Sequence, residues 1–363
     1  MSRIRVLVTD DSAFMRQVVT RALEGDGRFE VVGTASSGAE AVEQCRKLSP
    51  DVVTMDFNMP GMNGAQATRA ILAERAVPVV MLSAHTQQGA KETLQALDAG
   101  AVDFVTKPSG EVSATLGDAK AELTEKLLAA AGANVAALPR QSEPRILSAR
   151  QERAASSPEA SSGPLSSRRM SLAGQHRLIV IASSTGGPQA LLRVVPQLKL
   201  GARAALLIVQ HMPDGFTGAL AEQLSEASPF QVREAQSGDL AGPGTALLAP
   251  GGSHLVLDRT GRAQLRSDPP VHGVRPAADP TLVSAAQAFG ARSIGVVLTG
   301  MGRDGAKGLA AVKASGGTTL AQDKATSLVY GMPKAAVELG VVDTVSPLDR
   351  IAAVINRWLE PIS

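Results

Sequence analysis

The segment LIVIASSTGGP, residues 178–188, contains a strand, a turn and the start of a helix. Its apolar run is typical of a strand that is buried in a parallel sheet. The run ends at two serines, a threonine and two glycines, and Pro188–Pro196 then has a helical pattern. A serine at such a turn has an exposed hydroxyl near backbone N–H groups, and acyl-transfer sites need both. The sequence therefore predicts an α/β sheet that carries Ser184 at its functional edge.

The rest of this half of the chain continues the same αβ alternation. Further strands are predicted at Ala204–Val209, Thr245–Ala249, His254–Leu257 and Ile294–Leu298, with a hairpin turn at Arg259–Arg262 leading into Ala263–Arg266. Helices are predicted at Gly215–Ala227, Pro280–Phe289, Gly305–Ala314 and Pro333–Leu339. This order indicates a doubly wound, mostly parallel, Rossmann-like sheet with an antiparallel hairpin.

The first part of the chain has a second, separate αβ pattern. Its predicted strands are Arg5–Thr9, Val31–Ala35, Val52–Met55, Val79–Ser83 and Phe104–Thr106. Between the two patterns lies a stretch that includes LSARQERAASSPEASSGPLSSRR, with too little apolar surface to offset the entropy of ordering it. We therefore predict a doubly wound domain at residues 1–125, a flexible linker at 126–175 and a second domain at 176–363.

Composition excludes several classes of function. The chain has 363 residues, of which 44% are hydrophobic and only 2% aromatic, with a formal net charge of +2. Few aromatic residues and a weak charge argue against nucleic-acid binding. We find neither a signal peptide nor a membrane-spanning run, so we expect no membrane insertion and a cytoplasmic location. The single cysteine, Cys45, lies on an apolar helical stripe and is interpreted as a packing residue.

Acidic side chains follow two predicted strands of the first domain. Asp10 and Asp11 follow the first strand, and Asp56 follows the third. The carboxyl ends of parallel strands meet at one edge, where three carboxylates need a cation between them; oxygen ligands suit Mg²⁺. Ser83 and Lys107 follow two further strands, at places where they can hold phosphoryl oxygens. The pattern predicts a site where Asp56 accepts a phosphoryl group, although each aspartate alone could be a helix cap.

Three side chains of the second domain also follow predicted strands. Ser184, His211 and Asp304 come from distant parts of the chain, and they meet only if their strands are close together in the sheet. In that arrangement His211 takes the serine proton and Asp304 orients the imidazole. The order Ser, His, Asp and the absence of a G-x-S-x-G elbow disfavour an α/β-hydrolase. Amides near Thr185 and the TGMG loop at residues 299–302 can stabilise an oxyanion.

Simpler interpretations of these residues remain open at this point. Ser184 and Asp304 could cap the helices that follow them, and His211 could be an ordinary loop histidine. Ser183 competes with Ser184 as the nucleophile, but adjacent residues of a strand point to opposite faces. His254 and His272 are weaker candidates for the base because no strand-end run places them at the site. Scattered histidines also argue against a metal centre in this domain.

The acidic pattern of residues 1–125 resembles the receiver domains of two-component response regulators, which have a flavodoxin-like fold. The resemblance implies Asp56 as the phosphorylated residue and a histidine kinase as the phosphodonor. It also implies that Mg²⁺ is bound by Asp11, Asp56 and the Asn58 carbonyl, with Asp10 in support. Ser83 and Lys107 would contact the phosphate, and Phe104 occupies the position of the switching aromatic residue.

The whole chain resembles the chemotaxis protein-glutamate methylesterases of the CheB family. The segments that carry this resemblance are SSTGGP, QHMPDGFT, APGGSH, LTGMGRDGA and AQDKATSLVYGMPKAA. The resemblance implies a Ser184–His211–Asp304 triad with Thr185 and Met301 near the oxyanion. The implied substrates are γ-glutamyl methyl esters, and also glutamines, on the helical cytoplasmic region of chemoreceptors.

Regulation by the first domain is the remaining prediction. We expect the unphosphorylated first domain to cover the Ser184 edge and phosphorylation to loosen that interface. Three alternatives compete: a non-catalytic adaptor, a DNA-binding response regulator and a general serine peptidase. The second domain lacks a basic recognition helix, and no feature indicates a peptide specificity pocket, so the last two are disfavoured.

Overall fold

The computed structural model of the protein describes residues 3–84, 86–107, 113–137 and 176–360. They form two α/β units in contact with each other. No helix within these ranges is long and apolar enough to cross a membrane.

The first unit is a five-stranded parallel sheet in the order β2-β1-β3-β4-β5. Its strands are β1 (Ile4–Thr9), β2 (Phe29–Ala35), β3 (Val52–Asp56), β4 (Val79–Ser83) and β5 (Asp103–Thr106). Its helices are α1 (Ala13–Glu24), α2 (Gly38–Leu48), α3 (Gly64–Glu74), α4 (Gln87–Asp98) and α5 (Ser113–Ala131). The predicted domain boundary at residue 125 falls inside α5.

Four of these helices begin at a side chain that accepts a backbone N–H of the first turn, which places their starts firmly. The caps are Ser12, Ser37, Asn63 and Thr86. Cys45 is buried on α2, as predicted, and burial raises the pKa of its thiol to about 11.

The second unit is a seven-stranded parallel sheet in the order β14-β13-β12-β6-β7-β9-β8, plus the antiparallel pair β10–β11. Its strands are β6 (Arg177–Ser183), β7 (Ala204–Gln210), β8 (Val232–Glu234), β9 (Ala246–Leu248), β10 (His254–Leu257), β11 (Ala263–Arg266), β12 (Ser293–Val297), β13 (Thr318–Gln322) and β14 (Thr344–Ser346). Its helices are α6 (Gly187–Val194), α7 (Thr217–Ala227), α8 (Ala278–Phe289), α9 (Ala306–Ala314), α10 (Met332–Glu338) and α11 (Leu348–Leu359).

These two sheets confirm the predicted fold class, including the antiparallel hairpin. Four elements of the second unit were not predicted: β8, β13, β14 and α11. Two of these strands have only three residues, and β13 reads TTLAQ, which lacks the apolar run of a buried strand. The predicted linker at 126–175 lies partly within α5 and, from residue 138 onward, outside the described residues.

Candidate functional site

Ser184 lies at the carboxyl end of β6, the central strand of three neighbours. β6 pairs with β12 on one side and with β7 on the other, so the arrangement on which the triad prediction depends is present. The Ser184 amide donates to the Thr299 carbonyl at 3.0 Å, and its carbonyl accepts from the Gly187 amide at 2.7 Å. Gly186 is the N-cap residue of α6, and its φ of 75° is a conformation that glycine adopts without strain.

His211 and Asp304 form a direct hydrogen bond at the same edge of the sheet. His211 follows β7, and its amide donates to the Ser183 carbonyl at 3.1 Å. The imidazole Nε2 lies 2.8 Å from Asp304 Oδ2, although the two residues are 93 positions apart in sequence. Because Nε2 is engaged by the carboxylate, Nδ1 is the nitrogen left to accept a proton.

Asp304 is held as an anion by the start of a helix. Its Oδ2 accepts from the Ala278 amide at 2.5 Å, and its Oδ1 accepts from the amides of Asp279 and Gly305, each at 2.9 Å. Burial opposes ionisation, but the hydrogen bonds from His211, Ala278 and Asp279 outweigh it and lower the pKa of the carboxyl. The Asp304 carboxylate therefore accepts from the first amides of α8, not of α9, the helix that comes next in the chain. The N-cap residue of α9 is Gly305.

Ser183 and Ser184 have different surroundings. Ser183 is fully buried, and its hydroxyl donates to Gln210 Oε1 at 2.7 Å. Ser184 is partly exposed, and α6 has no side-chain cap, so Ser184 does not serve as one. Gln210 also donates from Nε2 to the carbonyls of Ser184 and His211, at 3.0 and 3.2 Å. Of the two serines, only Ser184 is thus available to an incoming substrate.

The TGMG loop packs directly against the Ser184 turn. A Cβ on Gly300 would lie 2.8 Å from Ser184 Cβ and 2.4 Å from Met332 Sδ, so only glycine fits here. Met301 directly follows Gly300 in this loop. Thr185 is buried, and its carbonyl accepts from Oγ1 of Thr299, the first residue of the same loop, at 2.9 Å. Their predicted contact with an oxyanion remains a prediction.

Three carboxylates of the first unit lie close together at the end of its sheet. Asp10, Asp11 and Asp56 present carboxylate oxygens that all lie within 4.8 Å of one another. Lys107 Nζ lies 2.8 Å from Asp10 and 2.9 Å from Asp56. Burial raises the pKa of Asp56, against the hydrogen bond from Lys107. Burial opposes the charge on Lys107, but its bonds to the two carboxylates raise its pKa.

Ser83 and Asn58 make other contacts in this structure. The Ser83 hydroxyl lies 2.6 Å from Thr93 Oγ1 and donates to the Gly89 carbonyl at 3.2 Å, both on α4. The Asn58 side chain donates to Glu92 at 2.8 Å. Both residues border the end of the sheet that carries Asp56, and their phosphate-reading and metal-binding roles remain predictions.

The two units meet beside the Ser184 turn. The ring of Phe104, on β5, stacks on Phe216 with centroids 4.7 Å apart. Thr185 Oγ1 donates to Asp103 Oδ2 at 2.5 Å, which joins the residue after Ser184 to the first unit. The half-buried Lys126 binds both of these residues of the first unit: its Nζ donates to the Phe104 carbonyl at 2.6 Å and lies 3.4 Å from Asp103.

Several residues of this arrangement were not predicted from the sequence. Gln210 could have been recognised, because it is a polar residue at the end of a buried run directly before His211. Asp103 and Lys126 offered no signal, since their partners come from a different unit. The amides that hold Asp304 were missed because the helix was predicted to begin at Pro280 rather than at Ala278.

Comparisons with known proteins match two separate parts of the chain. Residues 6–115 match the response regulator receiver domain model, and residues 179–355 match the CheB methylesterase model. A protein-glutamate methylesterase/protein-glutamine glutaminase of Symbiobacterium thermophilum is 48% identical over 358 residues, covering 98% of this chain and 96% of the relative. The protein of the same name from Pyrococcus abyssi is 45% identical over 364 residues, covering 99% and 95%.

One solved structure is similar to the second unit. The catalytic domain of Thermotoga maritima CheB methylesterase is 42% identical, with a TM-score of 0.49, and covers 51% of this chain and 99% of that one. The family resemblance predicted from the sequence is confirmed by the near-complete coverage of the relatives. The chain belongs to the CheB methylesterase family, with a response regulator receiver domain ahead of its methylesterase domain.

Proposed function

We propose that this chain is a phosphorylation-activated serine hydrolase that removes methyl groups from glutamate γ-methyl esters of chemoreceptors. The observation that supports it best is the His211–Asp304 hydrogen bond, made by residues that follow the two strands paired with β6, the strand that ends at the Ser184 turn. The hydrolysis of glutamine side chains by the same residues is part of the proposal. Three further parts of the proposal are inferred from the family. They are chemoreceptor helices as the substrate, a chemotaxis-type histidine kinase as the phosphodonor and a cytoplasmic location.

The proposed reaction has two steps, and the same side chains act in both. The Ser184 hydroxyl attacks the ester carbonyl while His211 Nδ1 takes its proton, and the backbone amides near Thr185 and Met301 stabilise the oxyanion. His211 then gives the proton to the departing methoxide, and methanol leaves. In the second step His211 activates water, which releases glutamate and restores Ser184. Asp304 remains ionised and stabilises the imidazolium.

Asp56 is the proposed phosphoryl acceptor in the receiver domain. Oxygen-only donors within a short distance of one another suit Mg²⁺, and Asp10, Asp11, Asp56 and the Asn58 carbonyl would hold it. When bound, the ion neutralises charge on the phosphoryl group. Lys107, which now binds Asp56, directly follows β5, the strand that carries both interdomain contacts of Asp103 and Phe104. A phosphoryl group that recruits Ser83 and Lys107 would therefore disturb the contact beside Ser184.

Asp56→Asn is expected to abolish activation by a small-molecule phosphodonor while leaving basal activity in place. An amide cannot form the acyl phosphate, and Asp56 and Ser184 belong to different units of the structure. The measurement is methanol release from a methyl-labelled receptor fragment, given as the ratio of the rate with phosphodonor to the rate without it. Asp51→Asn, at the opposite end of β3 and exposed, is the matched control and should keep the full ratio. Activation that persists in Asp56→Asn would rule out this acceptor.

Gln189→Ala is expected to raise basal activity without phosphodonor. Gln189, on α6, donates from Nε2 to the receiver carbonyls of Leu97 and Ala101, at 2.9 and 2.8 Å. Losing two such bonds costs the closed arrangement about 1–3 kcal/mol. That free energy corresponds to an increase of about 5- to 150-fold in the open fraction. Gln264→Ala, exposed on β11, should leave basal activity unchanged, and equal activities of the two variants would contradict inhibition by cover.

A further inference from the structure

A second histidine–carboxylate pair lies beside the triad. His272 Nε2 is 2.9 Å from Asp279 Oδ2, and Asp279 is the second residue of α8. The backbone amide of the same Asp279 donates to Asp304 Oδ1 at 2.9 Å. The ligand atoms of His272, Asp279 and Asp304 all lie within 4.8 Å of one another. The two pairs, His211–Asp304 and His272–Asp279, therefore share the start of one helix.

The Asp279 side chain fixes the start of α8 against α9. Its Oδ1 accepts from the Gly308 amide at 2.7 Å, one of the first-turn amides of α9 that has no partner within its own helix. The helices pack closely, since a Cβ on Gly308 would lie 2.5 Å from Leu282 Cβ. Neither helix has a side-chain cap on its own N-cap residue. Asp279 thus joins two helix starts, and its other oxygen is left for His272.

His272 reaches Asp279 from a tight turn. The amides and carbonyls of Val271 and Val274 bond to each other, both at 3.1 Å, and close the turn that contains His272. The backbone of His272 has a φ of 56°, in the left-handed region that residues other than glycine seldom adopt. Such a conformation persists only where the surrounding structure maintains it, and here the imidazole is bonded to a buried carboxylate.

We infer that His272 and Asp279 are positioning residues for the triad. His272 and Asp279 keep the amides of Ala278 and Asp279 in position to bind the Asp304 carboxylate. Asp304 in turn orients His211. His272 does not touch the reacting atoms in this role. A metal site of the three residues is the less favoured interpretation, because backbone amides and imidazoles already bind all four carboxylate oxygens of Asp279 and Asp304.

The test compares His272→Ala, which removes the donor, with His272→Gln, which keeps an N–H donor on a side chain of similar reach. His272→Ala is expected to lower kcat by about 10- to 100-fold, the cost of a small displacement of catalytic groups, with KM unchanged. His272→Gln is expected to restore most of kcat. Asp268→Ala, exposed in the same loop, is the control and should match the wild type. The assay uses the full chain with phosphodonor and a methyl-labelled receptor fragment.

A second readout separates positioning from a purely structural role. The ¹⁵N resonance of His211 Nε2 reports its hydrogen bond to Asp304, and we expect it to shift in His272→Ala and to return in His272→Gln. An unchanged kcat with an unchanged resonance would overturn the inference, as would a loss that glutamine does not rescue. The inference rests on the proposed function for its kinetic readout alone. Should the wild type release no methanol, the proposed function fails while the His211 resonance still tests the positioning.

Discussion

Ser184→Ala is expected to lower methanol release by at least about 10³-fold, since the nucleophile of a triad acts as a unit with its base. Only the hydroxyl is lost. The backbone bonds of Ser184 to Thr299, Gly187 and Gln210 do not involve the side chain, so the turn should keep its shape. The measurement is methanol released from a methyl-labelled receptor fragment in the presence of phosphodonor. Circular dichroism and thermal unfolding should match those of the wild type.

Ser183→Ala is the matched control for this prediction. It removes the neighbouring hydroxyl, which is fully buried and bonded to Gln210. We expect a loss of stability of about 1–3 kcal/mol, because Gln210 Oε1 loses its partner, and only a small loss of activity. A reversed pattern, with Ser183→Ala inactive and Ser184→Ala active, would exchange the roles of the two serines. Full methanol release in both variants would show that neither serine is the nucleophile, whereas a non-catalytic adaptor would release no methanol even as the wild type.

The candidate functional residues at strand ends could be predicted because buried parallel strands appear in the sequence as continuous apolar runs. Continuous apolar runs such as Ala204–Gln210 end abruptly at a polar residue, and the carboxyl ends of such strands share one edge. Asp56, Ser83, His211 and Lys107 could each be located in this way without any knowledge of their partners. Short or polar strands gave no such signal. β13 was missed for this reason, although its Gln322 accepts from the amide of Thr299, the first residue of the TGMG loop.

The contacts between distant segments were not predictable. The sequence does not show that the amides at the start of α8 would turn toward Asp304, or that His272 would adopt a left-handed backbone. Likewise, nothing near Asp103 indicates that its carboxylate accepts a hydrogen bond from Thr185, 82 positions later. These contacts depend on how helices and units pack, and packing is decided by complementary surfaces rather than by local pattern.

The second large effect is expected for Asp304→Asn, about 10⁴-fold in kcat, as in other triads whose acid becomes an amide. Asp304 Oδ1 accepts from two amides, so the asparagine oxygen should occupy that position. The NH₂ group then replaces Oδ2, where it donates to His211 Nε2 and leaves the Ala278 amide without its acceptor. The ring proton moves to Nδ1, the nitrogen that must accept the proton of Ser184, and the base is lost. The imidazole ¹⁵N spectrum should show the exchanged tautomer.

A control substitution distinguishes the tautomer exchange from simple destabilisation. It replaces another hydrogen-bonded carboxylate, Asp343, which lies outside the site. Asp343 accepts from the amide and the hydroxyl of Thr319, each at 2.9 Å, and its pKa is lowered by those bonds and by Lys313 against the effect of burial. Asp343→Asn should therefore cost stability with kcat retained. For Asp304 the lowered pKa keeps the carboxylate charged across about pH 5–8, the range in which histidine titrates. Asp304 itself should thus add no limb to the pH–rate profile in that range, and equal kcat values in the two asparagine variants would contradict the role of Asp304.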